Sequence, residues 1–337
     1  MIGVGIAGAG HFAGLHAQAL AGVPEFRLVA SAAGSAATAG AFAAANGGRA
    51  CADWRELLDD RAVDVVLIAA PHHLHAPMAI AAAAAGKHIL VEKPMAPSFA
   101  DCVAITRAAD AAGVVLLVAH VMRFVAPCLA AREIVASGRL GRPLVGRSAM
   151  MKRWMEANRR PWHLAAESGG GMLLTAGIHA LDRLVWLMDA KVAQVAAMSG
   201  NLFHDQPLPD VDLLVLRFAG GGLGTLSSAG YRDTTVINDT EIVCEDGVLR
   251  LDLATGVSVG QGGTWTEVPG AMESDSALRG LEREWRAMAA AIRDNVPPPV
   301  GGAEAGELVA AIEAANASVA SGRLVSLPGW PAAKPKG

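Results

Sequence analysis

The first residues whose spacing could do chemistry are small ones near the start of the chain. Gly8, Gly10 and Ala13 form a G-x-G-x-x-A pattern, with His11 and Phe12 inside it, between a predicted strand and a predicted helix. In that context the first glycine permits a tight turn, and the second lets the backbone approach a pyrophosphate. The alanine allows close packing of helix on strand, while helix N–H groups face the anion. The pattern predicts a dinucleotide site.

The turn after the second predicted strand bears on which dinucleotide binds. An acidic residue that would bind the ribose hydroxyls is expected about 20 residues after the fingerprint, and none is there. The sequence instead offers Ala33, Gly34, Ser35 and Thr38, with backbone N–H groups and two hydroxyls. A carboxylate would repel a 2′-phosphate, so its absence favours NADP as the cofactor. NAD, or dual specificity, stays open because the turn also lacks an arginine clamp.

A lysine at the end of a predicted strand is the next candidate for chemistry. Lys93 lies between Glu92 and Pro94, directly after the predicted strand His88–Val91. Ligands of open α/β sheets bind outside the carboxyl ends of the strands, which is where this ammonium group lies. A cation there can stabilise an alkoxide-like oxygen that develops during hydride transfer, and burial would lower its pKa toward a useful range. The alternative is a surface lysine near a turn.

Further motifs extend along the chain. They are Pro71 with His72 and His75, the Glu92-Lys93-Pro94 triplet, Arg123-Phe124, Gly138-Arg139-Leu140-Gly141, and Gly169-Gly170-Gly171 followed by His179 and Asp182. With the N-terminal fingerprint, these motifs make the chain resemble the glucose-fructose oxidoreductase/inositol dehydrogenase/MocA (Gfo/Idh/MocA) family over almost its whole length. The resemblance implies reversible hydride transfer between a nicotinamide cofactor and a sugar, cyclitol or related hydroxyl compound.

The resemblance also implies roles for single residues. It makes Lys93 catalytic and His179 a proton donor or acceptor, and it places His72, His73 and His75 in a loop beside the nicotinamide ribose. No metal site is therefore expected at these three histidines. Outside the fingerprint and the turn after the second strand, the expected cofactor contacts are Pro71, His72, His75, Glu92, Lys93 and Arg123.

His179 is predicted to lie on a helix over Met172–Met188. Thr175 precedes it by four residues and Asp182 follows it by three, so the three side chains can share one side of the helix. Family members typically carry aspartate at the position of Thr175. Because a threonine can only hydrogen-bond, we expect His179 to titrate near the ordinary value of about 6.5 and Lys93 to carry more of the proton transfer. The alternative is a packed or capped helix histidine.

A cationic and aromatic stretch, residues 152–163, precedes the glycine loop at residues 169–171. A loop there could cover the nicotinamide, with Arg or Lys holding a substrate carboxylate and Trp stacking on a ring. The substrate would then be acidic, such as a uronate, an oxidised cyclitol or a carboxylated cyclic dihydrodiol. A solvated basic turn and a neutral sugar are the alternatives. The expected substrate contacts are Lys93, Arg123, Lys152, Arg153, Trp162, His163, Thr175 and His179.

Arg123 follows the last strand of the first predicted domain, where it could contact cofactor or substrate across the cleft. A salt bridge between the domains is the alternative.

Two other functions also stay open. One is a glycoside-cleaving enzyme that uses NAD transiently; the other is a non-catalytic, cofactor-gated regulatory protein, which Thr175 in place of aspartate favours. Retention of Lys93 and His179 argues against the regulatory alternative.

Two domains must position these residues. Short β-branched runs alternate with alanine-rich helical stretches over residues 1–121, which predicts a parallel sheet covered by helices. Residues 122–328 predict an α+β domain with an open, mainly antiparallel sheet, through which the resemblance implies a homodimer or homotetramer. Residues 329–337 form a predicted loose tail. The strands expected in the first domain are Ile2–Ala7, Arg27–Ser31, Val63–Ala69, His88–Val91 and Val114–Ala119.

Composition excludes several classes of partner. The chain has 337 residues, 53% of them hydrophobic, and a net charge of -4, which argues against disorder and against nucleic-acid binding. The uncharged stretch 65–86 is interrupted by two prolines, so no membrane span is expected. Four widely spaced cysteines and the absence of a basic signal-peptide start predict a cytoplasmic protein with reduced thiols. The expected partner is a small, possibly anionic, molecule.

Overall fold

A six-stranded parallel sheet forms in the first third of the chain. The computed structural model describes residues 1–157 and 159–331. The strands of this sheet are β1 (Ile2–Ala7), β2 (Phe26–Ala32), β3 (Arg49–Cys51), β4 (Val65–Ile68), β5 (His88–Glu92) and β6 (Leu116–Ala119). They lie in the order β3-β2-β1-β4-β5-β6, with every pair parallel. This is the order of a Rossmann domain, whose ligands bind where the strand order reverses.

The five predicted strands are all present, and their ends differ from the prediction by at most two residues. All four residues of β4 are buried, as expected for a strand covered on both faces. The strand that was not predicted, β3, has only three residues, too few to show a pattern. The helices of this region are α1 (His11–Ala21), α2 (Ala36–Asn46), α3 (Arg55–Asp59), α4 (His75–Ala84) and α5 (Phe99–Ala112).

The second sheet has nine strands and is mainly antiparallel, which confirms the predicted fold class. Its strands are β7 (Pro143–Arg153), β8 (Val192–Gly200), β9 (Val211–Phe218), β10 (Leu223–Tyr231), β11 (Asp239–Cys244), β12 (Val248–Asp252), β13 (Gly256–Gln261), β14 (Thr264–Glu267) and β15 (Val325–Ser326). The order is β14-β13-β12-β11-β7-β10-β9-β8-β15, in which β7 and β10 form the parallel pair. The glycines at 220–222 and 262–263 join antiparallel neighbours, as predicted.

Four more helices lie later in the chain. They are α6 (Ala126–Ala136), α7 (Ile178–Met188), α8 (Ser276–Asp294) and α9 (Gly302–Ser321). Helix α7 covers one face of the nine-stranded sheet, whereas α8 packs on α1 and α9 packs on α5 and β8. Trp285 of α8 shares a core with Val4 and Ile6 of β1, although its position in the chain lies within the second predicted domain. The predicted domain limits stay a prediction.

Residues 332–337 of the predicted tail lie outside the described residues. None of the helices in the described part of the chain has the length and apolar character needed to cross a membrane. The four cysteines are buried free thiols.

Candidate active site

The turn between β1 and α1 has the geometry that a pyrophosphate requires. Gly8 has a φ of +136°, and a Cβ there would lie 2.2 Å from the carbonyl oxygen of Ala69. That conformation and that contact require glycine. A Cβ on Gly10 would meet open space, and none of the described side chains caps the N-terminus of α1. The first N–H groups of this helix can therefore receive an anion. The next residues are the exposed His11 and Phe12 and the buried Ala13.

The turn after β2 carries no acidic side chain. Strand β2 ends at Ala32, and Ala33, Gly34 and Ser35 follow it. Ser35 caps α2: its Oγ accepts a hydrogen bond from the Thr38 N–H at 3.2 Å and lies 2.8 Å from the Thr38 hydroxyl. Both hydroxyl side chains are exposed. The turn therefore presents hydroxyls and a helix N-terminus to a ribose, without a carboxylate.

Lys93 lies at the carboxyl end of β5, as the sequence predicts. Its side chain is 9% exposed, and its Nζ donates a hydrogen bond to the carbonyl oxygen of Thr175 at 2.8 Å. Burial, together with the charges of Lys152 and Arg159, lowers the pKa of Lys93 to about 8 although Glu92 opposes the shift. A lysine side chain with this pKa can release a proton as the ammonium and accept one as the amine near neutral pH.

A buried hydrogen-bond chain holds the residue before the lysine. Trp285 Nε1 donates to His16 Nδ1 at 3.1 Å, and His16 Nε2 lies 3.0 Å from Glu92 Oε1. Because indole N–H is only a donor, His16 Nδ1 is the acceptor, and its Nε2–H donates to Glu92. The second oxygen of Glu92 accepts the backbone N–H of Lys93 at 3.2 Å. The His16 hydrogen bond and the Lys93 charge outweigh burial and lower the pKa of Glu92.

The predicted arrangement around His179 differs in two respects. The helix does not begin as a regular α-helix, because a π-helical turn over Leu173–Gly177 precedes α7. The Thr175 hydroxyl donates to the Gly169 carbonyl oxygen at 3.4 Å, and the Thr175 carbonyl oxygen accepts from Lys93 Nζ. The prediction that His179 titrates near 6.5 is also wrong. Burial and the nearby Lys93 charge hold the pKa of His179 well below that value, so the ring is neutral.

The third predicted member of this group, Asp182, is part of an ion pair. Arg123 Nε lies 2.9 and 3.0 Å from the two Asp182 oxygens, and Arg123 Nη1 lies 2.6 Å from Glu304 Oε1. His120 Nδ1 lies 3.3 Å from Asp182 Oδ2. Arg123 is 4% exposed, and its guanidinium is directed at two carboxylates. This ion pair lies within residues 122–328, so it is not the salt bridge between the two predicted domains, and the expected contact of Arg123 to cofactor or substrate stays a prediction.

The aromatic stretch before the glycine loop folds over the carboxyl end of β4. Trp162 stacks on His163 with ring centroids 3.6 Å apart and lies edge-on to His72 at 4.9 Å. His72 Nδ1 lies 2.8 Å from the Gly169 carbonyl oxygen, which joins the two loops. Burial and the Arg159 charge lower the pKa of His163 to about 4, so this ring is neutral.

Two of the predicted cofactor-loop residues have structural contacts. Pro71 accepts the backbone N–H of Leu74, and His75 is buried with Nδ1 2.9 Å from the Pro94 carbonyl oxygen and Nε2 2.8 Å from that of Ala70. His75 thus connects the end of β4 to the loop after β5. Across residues 1–157 and 159–331, no group of three metal-binding side chains forms.

Two cationic side chains before the glycine loop have contacts within the protein, and a third is exposed. Lys152 Nζ donates to Glu156 Oε2 at 2.9 Å, and the Arg159 guanidinium lies 3.7 Å from the centroid of the Trp154 ring. Arg153 is exposed at the end of β7. Glu156 and the buried His16 belong to no motif with a recognisable spacing, so the sequence alone does not point to them.

Comparisons with known proteins find relatives for both parts of the chain. Residues 2–120 match a family described as an oxidoreductase family with an NAD-binding Rossmann fold, and residues 128–250 match a GFO/IDH/MocA C-terminal domain. Inositol 2-dehydrogenase of Rubrobacter xylanophilus is 30% identical over 273 residues, which cover 77% of this chain and 74% of that protein.

Other matches are shorter or purely structural. The chain spans about half the length of several curated relatives. One is the 1-carboxy-3-chloro-3,4-dihydroxycyclohexa-1,5-diene dehydrogenase of Comamonas testosteroni, 32% identical over 53% of this chain and 45% of that protein. The solved structure of GenD2 from gentamicin A biosynthesis, in complex with NAD, superimposes with a TM-score of 0.87 at 25% identity over 97% of both chains.

Proposed function

The chain belongs to the Gfo/Idh/MocA oxidoreductase family, and we propose that it exchanges a hydride between NAD(P) and a secondary hydroxyl or ketone of a cyclic substrate. The substrate class is a sugar, a cyclitol or a carboxylated cyclic diol. One observation carries the proposal. The buried Lys93 ammonium, with its pKa lowered to about 8, lies at the edge of the parallel sheet where the dinucleotide turn also opens. A bound nicotinamide would supply the hydride chemistry.

Lys93 and His179 have different roles in this proposal. Neutral Lys93 takes the hydroxyl proton when an alcohol is oxidised, and the ammonium returns it when a ketone is reduced. His179 stays neutral and orients the substrate oxygen by a hydrogen bond, because its pKa is held well below 6.5. The Trp162 and His163 pair excludes water from one side of the site.

For the cofactor, we propose a preference for NADP. The support is the turn after β2, where Ser35 and Thr38 are exposed and no carboxylate opposes a 2′-phosphate. NAD is the competing outcome, since the structurally similar GenD2 was solved with NAD. Titration with NADPH and NADH, followed by energy transfer from tryptophan to the nicotinamide, decides between them.

We further propose that two or four copies assemble through the nine-stranded sheet. On the face opposite α7, five apolar side chains are at least 48% exposed: Val145, Met198, Leu213, Val215 and Leu223. An apolar area of this kind on a sheet is typical of a self-association surface. Leu213→Glu should convert the oligomer to a monomer in light scattering, and a wild-type monomer would contradict the assignment.

The test of the function is a cofactor titration combined with a substrate screen. The wild type should bind NADPH or NADH and change nicotinamide absorbance with a cyclic polyol or its ketone. Lys93→Ala should retain most cofactor affinity and lose most turnover. Full activity in that variant would refute the role of Lys93, and failure of the wild type to bind either cofactor would refute the function.

A further inference from the structure

Two cations near Lys93 share one carboxylate. Lys152 Nζ donates to Glu156 Oε2 at 2.9 Å, and Arg159 Nη2 lies 3.5 Å from the same oxygen. Both cations are close enough to Lys93 for their charges to lower its pKa. The other carboxylate near Lys93, that of Glu92, is bound by His16. The charges of Lys152 and Arg159 are therefore balanced by a single carboxylate, that of Glu156.

Two contacts to Trp154 fix the position of the Arg159 guanidinium. Its side chain is 9% exposed, its guanidinium lies 3.7 Å from the Trp154 ring centroid, and its Nε donates to the Trp154 carbonyl oxygen at 3.0 Å. Among residues 1–157 and 159–331, the one ion-pair contact of its terminal nitrogens is the 3.5 Å approach of Nη2 to Glu156, which leaves room for a further anion. Burial lowers the pKa of Arg159 to about 10, although the charge of Glu156 opposes the shift. Such a cation is stabilised by an arriving carboxylate.

An anion at Lys152 and Arg159 would be separate from the pyrophosphate of the cofactor. The pyrophosphate of a dinucleotide has its own receptor at the uncapped N-terminus of α1, beside Gly10. Lys152 and Arg159 instead act on Lys93, where we place the reacting oxygen. We propose that Lys152 and Arg159 form a subsite for a carboxylate carried by the substrate ring, with Glu156 as the resident counter-ion. This inference rests on the proposed function and narrows its substrate class to hydroxylated ring acids.

The test measures binding of a charged ring and its neutral counterpart to the protein loaded with NADPH or NADH, whichever binds more tightly. The probes are quinate, a polyhydroxylated cyclohexane carboxylate, and its uncharged amide, followed by calorimetry. The wild type should bind quinate at least about tenfold more tightly than the amide, and Arg159→Gln and Lys152→Gln should each remove about 10- to 100-fold of quinate affinity. Neither variant should change binding of the amide.

Glu156→Gln provides a gain of affinity that misfolding cannot produce. Removing the resident carboxylate releases both cations, so quinate should bind severalfold more tightly. Arg107→Gln, which removes an exposed charge from α5, is the matched control and should leave both affinities unchanged.

The possible outcomes separate this inference from the proposed function. Equal affinity for quinate and the amide would overturn the subsite, as would an unchanged quinate affinity in both cation variants. An equal loss of affinity for the loaded cofactor in those variants would also overturn it, since the cations would then serve the cofactor. Failure of the proposed function appears in a different measurement, as wild-type protein that binds neither NADH nor NADPH.

Discussion

The pKa of Lys93 should control how the reaction rate depends on pH. Its pKa is lowered from 10.5 to about 8, chiefly by burial. At pH 7 about 9% of the side chain is then the free base, against about 0.03% for an ordinary lysine, which is roughly a 300-fold difference. Because oxidation of an alcohol needs the base, kcat/KM in that direction should rise about tenfold per pH unit below pH 8 and level off above it. Reduction of a ketone needs the ammonium group and should show the opposite dependence.

The assay is kcat/KM from nicotinamide absorbance, measured in both directions from about pH 6 to about pH 10 at constant ionic strength. Lys93→Arg keeps the cation but cannot exchange its proton, so turnover should fall by about 10²- to 10⁴-fold. Lys152→Gln removes a charge that lowers the Lys93 pKa, so the midpoint should move to higher pH. Lys191→Gln removes an exposed charge, 72% accessible, and should leave the midpoint in place.

Two results would refute this reasoning. A midpoint near pH 6 that persists in Lys93→Arg would mean that a histidine carries the proton, contrary to the lowered pKa of His179. An oxidation rate that does not change between about pH 6 and pH 8 would mean that no group with the acidity of Lys93 limits the reaction.

Three further predictions concern the cofactor and the buried charges. Ala33→Asp places a carboxylate after β2 and should weaken NADPH binding at least about tenfold while NADH binding changes little, as measured by fluorescence titration; equal effects on both would contradict the assigned ribose turn. Glu284 is buried with neither carboxyl oxygen hydrogen-bonded among the described residues, and burial raises its pKa well above 4.5. The unfolded carboxyl therefore ionises first as pH rises, so folding stability falls above pH 4.5, and Glu284→Gln should stabilise the protein more at pH 7 than at pH 4 in urea unfolding. Asp182→Asn leaves Arg123 buried with Glu304 alone and should cost about 3–5 kcal/mol of unfolding free energy, whereas a loss under about 1 kcal/mol would show that the ion pair is dispensable.

Much of the Rossmann domain and its turn could be predicted from the sequence, because each depends on neighbours in the chain. An apolar run such as Val65–Ile68 indicates a buried strand, and Gly8 is required by a left-handed backbone and the nearby Ala69 carbonyl. The position of Lys93 follows in the same way, since a residue that ends a parallel strand lies at the ligand-binding edge.

The contacts that tune the site were decided by tertiary structure. The pairing of His16 with Trp285 joins residues 269 positions apart, and that of Arg123 with Glu304 joins residues 181 apart. No local pattern encodes such pairs, because they depend on how α8 and α9 pack against the first domain. The start of the helix that carries His179 differs for a related reason: residue spacing does not signal the π-helical turn over Leu173–Gly177. The sequence by itself determined which residues could react, and the packing of distant elements decided their charges, because burial and neighbouring ions set each pKa.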